Sequence, residues 1–234
     1  EQAWIADVLA NVPASIDLVV VVDDASGDDT VRIAQRAACP APVEVLRQPI
    51  NCGVGAAIVR GYGHALERGA DVLVVIAGDG QMDPGDLPAL IAPVVSGQLD
   101  YVKGNRLRHA DVWRVMPSQR RVGSYLLSML TSAAIGQVIG DSQCGYTALS
   151  GAAFARLDAA ALWHGYGYPN DLLGALRASG ARIGEVTVRP VYRGEASGMR
   201  IWHAAVIMGL IARVRWRRVR WPTVRSATMR SATR

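Results

Sequence analysis

The stretch "IDLVVVVDDASGDDT", residues 16–30, changes abruptly from apolar to acidic residues, and this change decides the fold class. Its apolar part, Leu18 to Val22, shows no polar alternation, which is typical of a parallel strand buried on both faces. The acids, glycine and threonine that follow are typical of a loop that caps a helix. We therefore expect Asp23 and Asp24 at the carboxyl end of a buried strand.

The same alternation continues along the chain. Four further segments follow in turn, namely a helix near 30–38, a strand at 43–48, a helix after 51–55 and a strand at 71–77. This order predicts an α/β domain with an open, mostly parallel, doubly wound sheet and helices on both faces. In such sheets, ligands bind outside the carboxyl ends of the strands. Asp23, Asp24, Asn51 and Asp79 are thus expected to converge on one site.

The glycine-rich segment "NCGVGAAI", residues 51–58, is not a dinucleotide-binding fingerprint. Ile58 stands where the third glycine belongs, and the segment is not the first strand-to-helix turn, which excludes a nicotinamide or flavin signature. Two interpretations of Gly53 and Gly55 remain open. They provide backbone N–H groups for a phosphate-bearing ligand at a helix start, or they allow a tight turn with close helix packing.

The segment "AGDGQMDP", residues 77–84, places Asp79, Gln81 and Asp83 at alternate positions directly after a strand. Mg²⁺ and Mn²⁺ take carboxylate and amide oxygens together with substrate phosphates, so such a loop can hold a metal–diphosphate complex. A metal ion there neutralises a nucleotide leaving group. For Asp79 we favour this role over a turn cap, whereas for Asp83, which precedes a proline, we favour the start of a helix.

Basic charge is concentrated at the end of the chain. Residues 213–234 hold eight of the 25 basic residues and no acid, which leaves 17 basic against 20 acidic residues elsewhere. No recognition motif accompanies them, so nucleic-acid binding is not expected. The apolar run 204–212 is nine residues long, whereas a membrane span needs about 20. We favour an amphipathic helix at a membrane surface, with a helix packed on the domain and a disordered tail as the alternative.

Six motifs, in order along residues 1–200, resemble family 2 glycosyltransferases of the GT-A fold. They are "VVVVDDASGDDT", "NCGVGAAIVRGYGHALERGAD", "AGDGQMDPGDLPALI", "YVKGNRL", "DSQCGYTAL" and "EVTVRPVYRGEASG". The branch they resemble most is that of the dolichol- and polyprenyl-phosphate mannosyl- and glucosyltransferases. The resemblance implies an enzyme that moves one sugar, with inversion, from a UDP- or GDP-sugar to a polyprenyl phosphate. It also implies a GT-A domain at 1–200 and a basic, membrane-associating tail at 201–234.

The resemblance assigns donor-side roles residue by residue. Asp23, Asp24, Asn51 and Gly53 match positions that hold or flank the nucleotide, and Asp79 with Gln81 matches the positions that hold Mg²⁺ or Mn²⁺. The sequence departs from the family in two places. Ala77 stands where the first acid of the D-x-D motif is usual, and the usual first strand of the sheet is expected to be missing before Glu1.

The acceptor side is predicted from charge. A hydroxyl acceptor needs a base, whereas a lipid phosphate is already anionic and needs cations that bind and aim it. The resemblance offers four arginines for this role: Arg106, Arg120, Arg121 and Arg193. Asp141 matches an acid near the acceptor, either as a base or as a group that orients arginine, and we favour orientation. Asp79, Arg106 and Asp141 are thus the catalytic candidates.

Two alternatives to a polyprenyl-phosphate transferase stay open at this point. One is a family 2 enzyme with a hydroxyl acceptor, and the other is a non-catalytic protein that binds nucleotide sugars. Three cysteines, Cys39, Cys52 and Cys144, are too few for a disulfide framework and indicate a reducing compartment. With the basic tail, this predicts peripheral attachment to the cytoplasmic face of a membrane.

Overall fold

A computed structural model describes residues 1–192 and 201–220 of the chain. The helices are α1 (Ile5–Ala10), α2 (Thr30–Ala34), α3 (Val54–Glu67), α4 (Leu87–Val95), α5 (Val112–Val115), α6 (Ser118–Ile135), α7 (Gly151–Phe154), α8 (Tyr168–Ala178) and α9 (Ile201–Arg220). The strands are β1 (Val19–Asp23), β2 (Val43–Arg47), β3 (Val72–Val75), β4 (Tyr101–Asn105), β5 (Thr147–Ser150) and β6 (Ile183–Thr187). The alternation predicted for the first half of the chain is confirmed.

The strands form two sheets. In the first, β1 and β2 are parallel, and in the second the order is β3-β5-β4-β6, with β4 and β6 parallel and β5 antiparallel to both of its neighbours. The α/β class is confirmed, but the sheet is mixed rather than mostly parallel. The reason is that β5 begins opposite the carboxyl ends of β3 and β4, since Thr147 pairs with Val75 and with Lys103.

Helices cover both faces of the larger sheet, as predicted. Neighbouring residues of β4 point to opposite faces, so Tyr101 packs in one core cluster and Val102 in another. The cluster around Tyr101 takes its side chains from α3, α6, α8 and α9, and the cluster around Val102 takes them from α4. Because β5 runs antiparallel to β3 and β4, the residues that precede it, 141–146, lie near the carboxyl ends of those two strands.

Helix α9 contains the part of the predicted tail that the structure describes. It lies against α6 and α8, and its side chains Ile207, Leu210, Ile211 and Val214 are buried. These side chains belong to the protein core, so they are not available to lipid. The domain boundary at residue 200 stays a prediction. Among residues 1–192 and 201–220, no helix is both long and apolar enough to cross a membrane.

Candidate active site

Asp24 organises the loop after β2. Its Oδ1 atom accepts hydrogen bonds from the Cys52 backbone N–H (2.7 Å) and from Gln48 Nε2 (2.6 Å), and its Oδ2 accepts one from the Gly53 N–H (2.7 Å). The amide of Asn51 donates to the Asp24 carbonyl (3.2 Å). The structure thus brings the predicted nucleotide residues together, with the Asp24 carboxylate holding the loop that would flank the nucleotide.

Asp23 is buried at the end of β1 and stabilises the turn that follows. Both of its carboxylate oxygens accept from the Ser26 backbone N–H at 3.3 Å, and Arg47 Nε lies 3.6 Å from Oδ2. A hollow of about 370 Å³ lies beside this turn, and it is lined by Ala25, Arg47, Gln48 and Pro49. This hollow is our candidate for the nucleotide end of the site.

The glycines at the start of α3 serve close packing. Gly53 adopts a φ of +95°, and the Gly55 and Ala56 N–H groups donate to the His164 carbonyl at 2.6 and 3.3 Å. A Cβ atom at Gly55 would overlap the Trp163 carbonyl oxygen. Of the two interpretations left open by the sequence, these contacts favour the tight turn with close packing, because the Gly55 and Ala56 N–H groups already donate to the His164 carbonyl.

The loop after β3 separates the roles of its two acids. Asp79 Oδ1 accepts from the Gln81 N–H (2.9 Å) across Gly80, whose φ is +72°. Asp83 caps the 3₁₀ turn Pro84–Asp86, since its Oδ1 accepts from the Gly85 N–H (2.9 Å). Asp83 therefore caps the start of a helical turn, which is the role that the sequence favoured. In Asp79, the hydrogen bond from the Gln81 N–H uses only Oδ1.

The donor set of this loop is small for a metal ion. Over the described ranges, no group of three or more His, Cys, Asp and Glu side chains can hold a metal ion. Asp79 and Gln81 provide one carboxylate and one amide, and Ala77 adds no ligand. Mg²⁺ is commonly bound by one or two carboxylates together with substrate phosphates. The residues present fit a metal that binds jointly with a diphosphate, and they do not fit one that binds alone.

Arg106 and Asp141 form a buried ion pair at the carboxyl end of β4. Arg106 Nε lies 2.8 Å from Asp141 Oδ2, and Nη2 lies 3.1 Å from Oδ1. The side chain of Asp141 is fully buried, and that of Arg106 is 18% exposed. Burial raises the pKa of Asp141, but the Arg106 guanidinium outweighs it and holds this pKa below its ordinary value. Asp141 is therefore a carboxylate that orients Arg106.

Glu185 on β6 fixes the backbone that carries Asp141, and the sequence did not reveal this role. Its carboxylate accepts from the N–H groups of Gly140 (2.9 Å) and Asp141 (3.0 Å) and from Asn105 Nδ2 (3.2 Å). A Cβ at Gly140 would overlap Asn105 Nδ2 and would displace that amide, which itself donates to Glu185. One signal was present in the sequence, namely a lone acid in the otherwise uncharged segment "IGEVTV", residues 183–188.

Lys103 is a second residue that sequence reasoning missed. It is fully buried in β4, and its Nζ donates to the Cys144 carbonyl. Burial lowers the pKa of this ammonium group. Its signal was a lysine within the otherwise apolar start of "YVKGNRL". Lys103 thus holds the loop between Asp141 and β5 through the Cys144 carbonyl.

The other predicted acceptor arginines differ in placement. The guanidinium of Arg120 lies 5.4 Å from the centre of the Tyr192 ring, and the hydroxyl of Tyr192 is 3.4 Å from Arg106 Nη1. Tyr192 therefore joins Arg106 and Arg120. Arg121 is instead stacked 4.1 Å over the ring of Trp113. Arg193 lies outside the described residues.

A cleft of about 900 Å³ lies beside the loop after β3, and Asp79, Arg106 and Asp141 are not among the described residues that line it. Gly80 and Asp83 line one side of it, and Arg189 and Tyr192 line the other. Arg189 Nη1 lies 3.5 Å from Asp83 Oδ2, which ties the two sides together at one end. Ligand pockets usually measure about 300–1,000 Å³. The cleft is thus large enough for a sugar.

Glu185→Gln is expected to lower the turnover number of the sugar transfer that the resemblance implies by about tenfold to a hundredfold, because misplaced positioning groups have effects of this order. The amide can keep its oxygen toward the N–H groups of Gly140 and Asp141, but it loses the negative charge that strengthens these hydrogen bonds and places an N–H₂ group where Oε2 shares the Gly140 N–H. This loosens Asp141 and with it Arg106. Steady-state kinetics with varied nucleotide sugar is the measurement. A KM for the donor that rises while the turnover number stays unchanged would contradict the positioning role, since Glu185 does not touch the donor loop.

The sequence is similar to those of known proteins over most of its length. A family model described as glycosyl transferase family 2 matches residues 2–157. An undecaprenyl-phosphate mannosyltransferase from Micrococcus luteus is 34% identical over 204 residues, with 83% of each chain covered. A UDP-N-acetylglucosamine–dolichyl-phosphate N-acetylglucosaminyltransferase from Methanococcus voltae is 29% identical over 206 residues, with 82% of each covered.

Solved structures share the fold. Glucosyl-3-phosphoglycerate synthase from Mycobacterium tuberculosis, in complex with Mn²⁺, UDP and phosphoglyceric acid, has a TM-score of 0.70 and 20% sequence identity. The alignment covers 92% of this chain and 75% of that one. The likeness confirms the expected GT-A class of α/β fold.

Proposed function

The chain belongs to glycosyl transferase family 2, and from this premise we propose that it transfers one sugar from a nucleotide diphosphate sugar to a polyprenyl phosphate. The acceptors named for its relatives from Micrococcus luteus and Methanococcus voltae, undecaprenyl phosphate and dolichyl phosphate, are both polyprenyl phosphates. The reaction takes place at a membrane surface, where such acceptors reside.

The observation that carries the proposal is the bidentate pair of Arg106 and Asp141. A hydroxyl acceptor would need a base, but both oxygens of Asp141 are bound to Arg106, and the pKa of this carboxyl is lowered. A phosphate acceptor needs no base, because it is anionic at neutral pH. It needs an oriented cation, and Asp141 holds the Arg106 guanidinium in one orientation.

On the donor side, Asp79 and Gln81 would hold Mg²⁺ or Mn²⁺ together with the diphosphate oxygens. The ion supplies charge neutralisation for the leaving nucleoside diphosphate. Arg106, with Arg120 beside Tyr192, binds the acceptor phosphate and aims one of its oxygens at the anomeric carbon. That oxygen forms the new bond as the bond to the diphosphate breaks, and the diphosphate leaves with the electron pair. Attack from the opposite face inverts the anomeric carbon.

Transfer of radiolabelled sugar from a panel of UDP- and GDP-sugars tests this function. The two acceptors are a short polyprenyl phosphate and the matched polyprenol without phosphate, both in detergent with Mn²⁺. We expect label in the lipid phase with one donor and only with the phosphate. Label on the free polyprenol would favour a hydroxyl acceptor. A folded chain that labels neither acceptor would favour the non-catalytic alternative.

A further inference from the structure

Helix α6 has five large apolar side chains on the outside of the protein. The outward residues are between 42% and 59% exposed, and they follow helical spacing: Val122, Tyr125, Leu126, Met129 and Leu130. We call these five residues the α6 face. A contiguous row of large apolar side chains on a surface usually marks an interaction site.

The inner side of the same helix is partly polar, and its hydrogen bonds fix the orientation of the helix; Ala134 and Ile135 join the core near its end. Ser124, Ser128 and Thr131 are buried. Ser128 Oγ accepts from the Ser142 N–H (2.8 Å), and Thr131 Oγ1 donates to Asn170 Oδ1 (2.8 Å). Rotating α6 to bury its apolar side would leave these buried polar groups without partners. The outward direction of the α6 face is therefore built into the fold.

Charge indicates which partner fits this face. The sequence of α6 contains Arg120 and Arg121 near its start and no acid. Arg121 is stacked on Trp113, which is 74% exposed. Apolar residues flanked by arginine and tryptophan suit a bilayer, where the rings and cations lie among the headgroups. Cations favour anionic headgroups.

We propose that the α6 face docks on the surface of a bilayer that contains anionic lipids. The apolar side chains enter the acyl boundary, and Arg120 and Arg121 lie at the headgroups. The inference rests on the proposed function in one respect, namely that Arg106 binds the acceptor phosphate. Tyr192 contacts both Arg120 and Arg106, so docking through α6 would bring Arg106 to the level of a lipid phosphate. The surface differs from the tail expected from the sequence, because the apolar residues of α9 such as Ile207 and Leu210 are buried in the core.

The test is binding of the full chain to vesicles of three parts phosphatidylcholine and one part phosphatidylglycerol. Leu126→Glu places a charge in the α6 face, and Val95→Glu is the matched control at the end of α4, where Val95 is 68% exposed. We expect Leu126→Glu to bind about tenfold more weakly than wild type, with Val95→Glu unchanged. Vesicles of phosphatidylcholine alone should bind wild type more weakly than the mixed vesicles. Thermal unfolding of both variants confirms that they fold.

Equal binding by Leu126→Glu and wild type would overturn the inference. So would a wild-type dimer in sedimentation equilibrium that Leu126→Glu dissociates, because the face would then belong to a second copy of the chain. The transfer assay in detergent separates this inference from the proposed function. A wild-type chain that binds vesicles through α6 but transfers no sugar refutes the function and leaves the docking surface intact.

Discussion

Arg106→Ala is expected to lower the rate of sugar transfer at least about a thousandfold, while the affinity for nucleoside diphosphate changes by about twofold or less. Arg106 binds the acceptor phosphate in our mechanism and does not contact the donor loops. Arg108→Ala is the matched control, since Arg108 is 57% exposed and lies 3.8 Å from Glu185. Transfer rates and calorimetric nucleotide affinities are the measurements, and a parallel loss of both in Arg106→Ala would contradict the assignment.

Folding must be separated from this effect, because Arg106→Ala leaves the buried Asp141 without its partner. Breaking a buried ion pair in this way costs about 3–5 kcal/mol of stability. The double variant Arg106→Gln with Asp141→Asn removes both charges and should recover most of that loss in a denaturant titration. It should not recover transfer. Recovery of transfer would mean that the pair is only structural and that another cation binds the acceptor.

The apolar-to-acidic transitions were enough to predict the strands and the loops that follow them, but β1 and β3 lie in two different sheets rather than in the single sheet expected. β1 ends at Asp23 and β3 at Val75, and a polar loop follows each of them as expected. The expected burial on both faces is wrong, because the valines of β1 are only half-buried. The direction of β5 was not predictable in the same way. It depends on the return of the chain after α6, where Thr147 pairs with two strands at once, and no local pattern encodes such a pairing.

The orientation of α6 shows a second limit of periodicity. Spacing identifies an amphipathic helix, but the usual assumption is that the apolar side faces the core. Here Ser128 and Thr131 face inward, where they form hydrogen bonds with Ser142 and Asn170. These partners lie outside α6, so the spacing within the helix does not reveal them. Glu185 was missed for the same reason, since its partners at Gly140 and Asp141 are 45 and 44 residues away.

Asp79→Asn is expected to lower transfer at least about a thousandfold and to abolish the heat of Mn²⁺ binding in the presence of the nucleoside diphosphate. The asparagine oxygen can still accept from the Gln81 N–H, so the loop keeps its shape while it loses its negative charge. Asp83→Asn is the control. It keeps an oxygen for the Gly85 N–H and removes only the charge opposite Arg189, an exposed pairing worth at most about 1 kcal/mol.

Ala77→Asp adds an acid two residues before Asp79. Together with wild type and Asp79→Asn, it gives a series of three chains with decreasing numbers of metal-binding carboxylates. If Asp79 and Gln81 hold the ion together with the diphosphate, Mn²⁺ should bind most tightly to Ala77→Asp, less tightly to wild type and not measurably to Asp79→Asn. Without nucleotide, wild type should show no Mn²⁺ heat, since one carboxylate and one amide leave too few protein ligands. Wild-type transfer that persists in a strong chelator would instead mean that the arginines alone neutralise the leaving diphosphate.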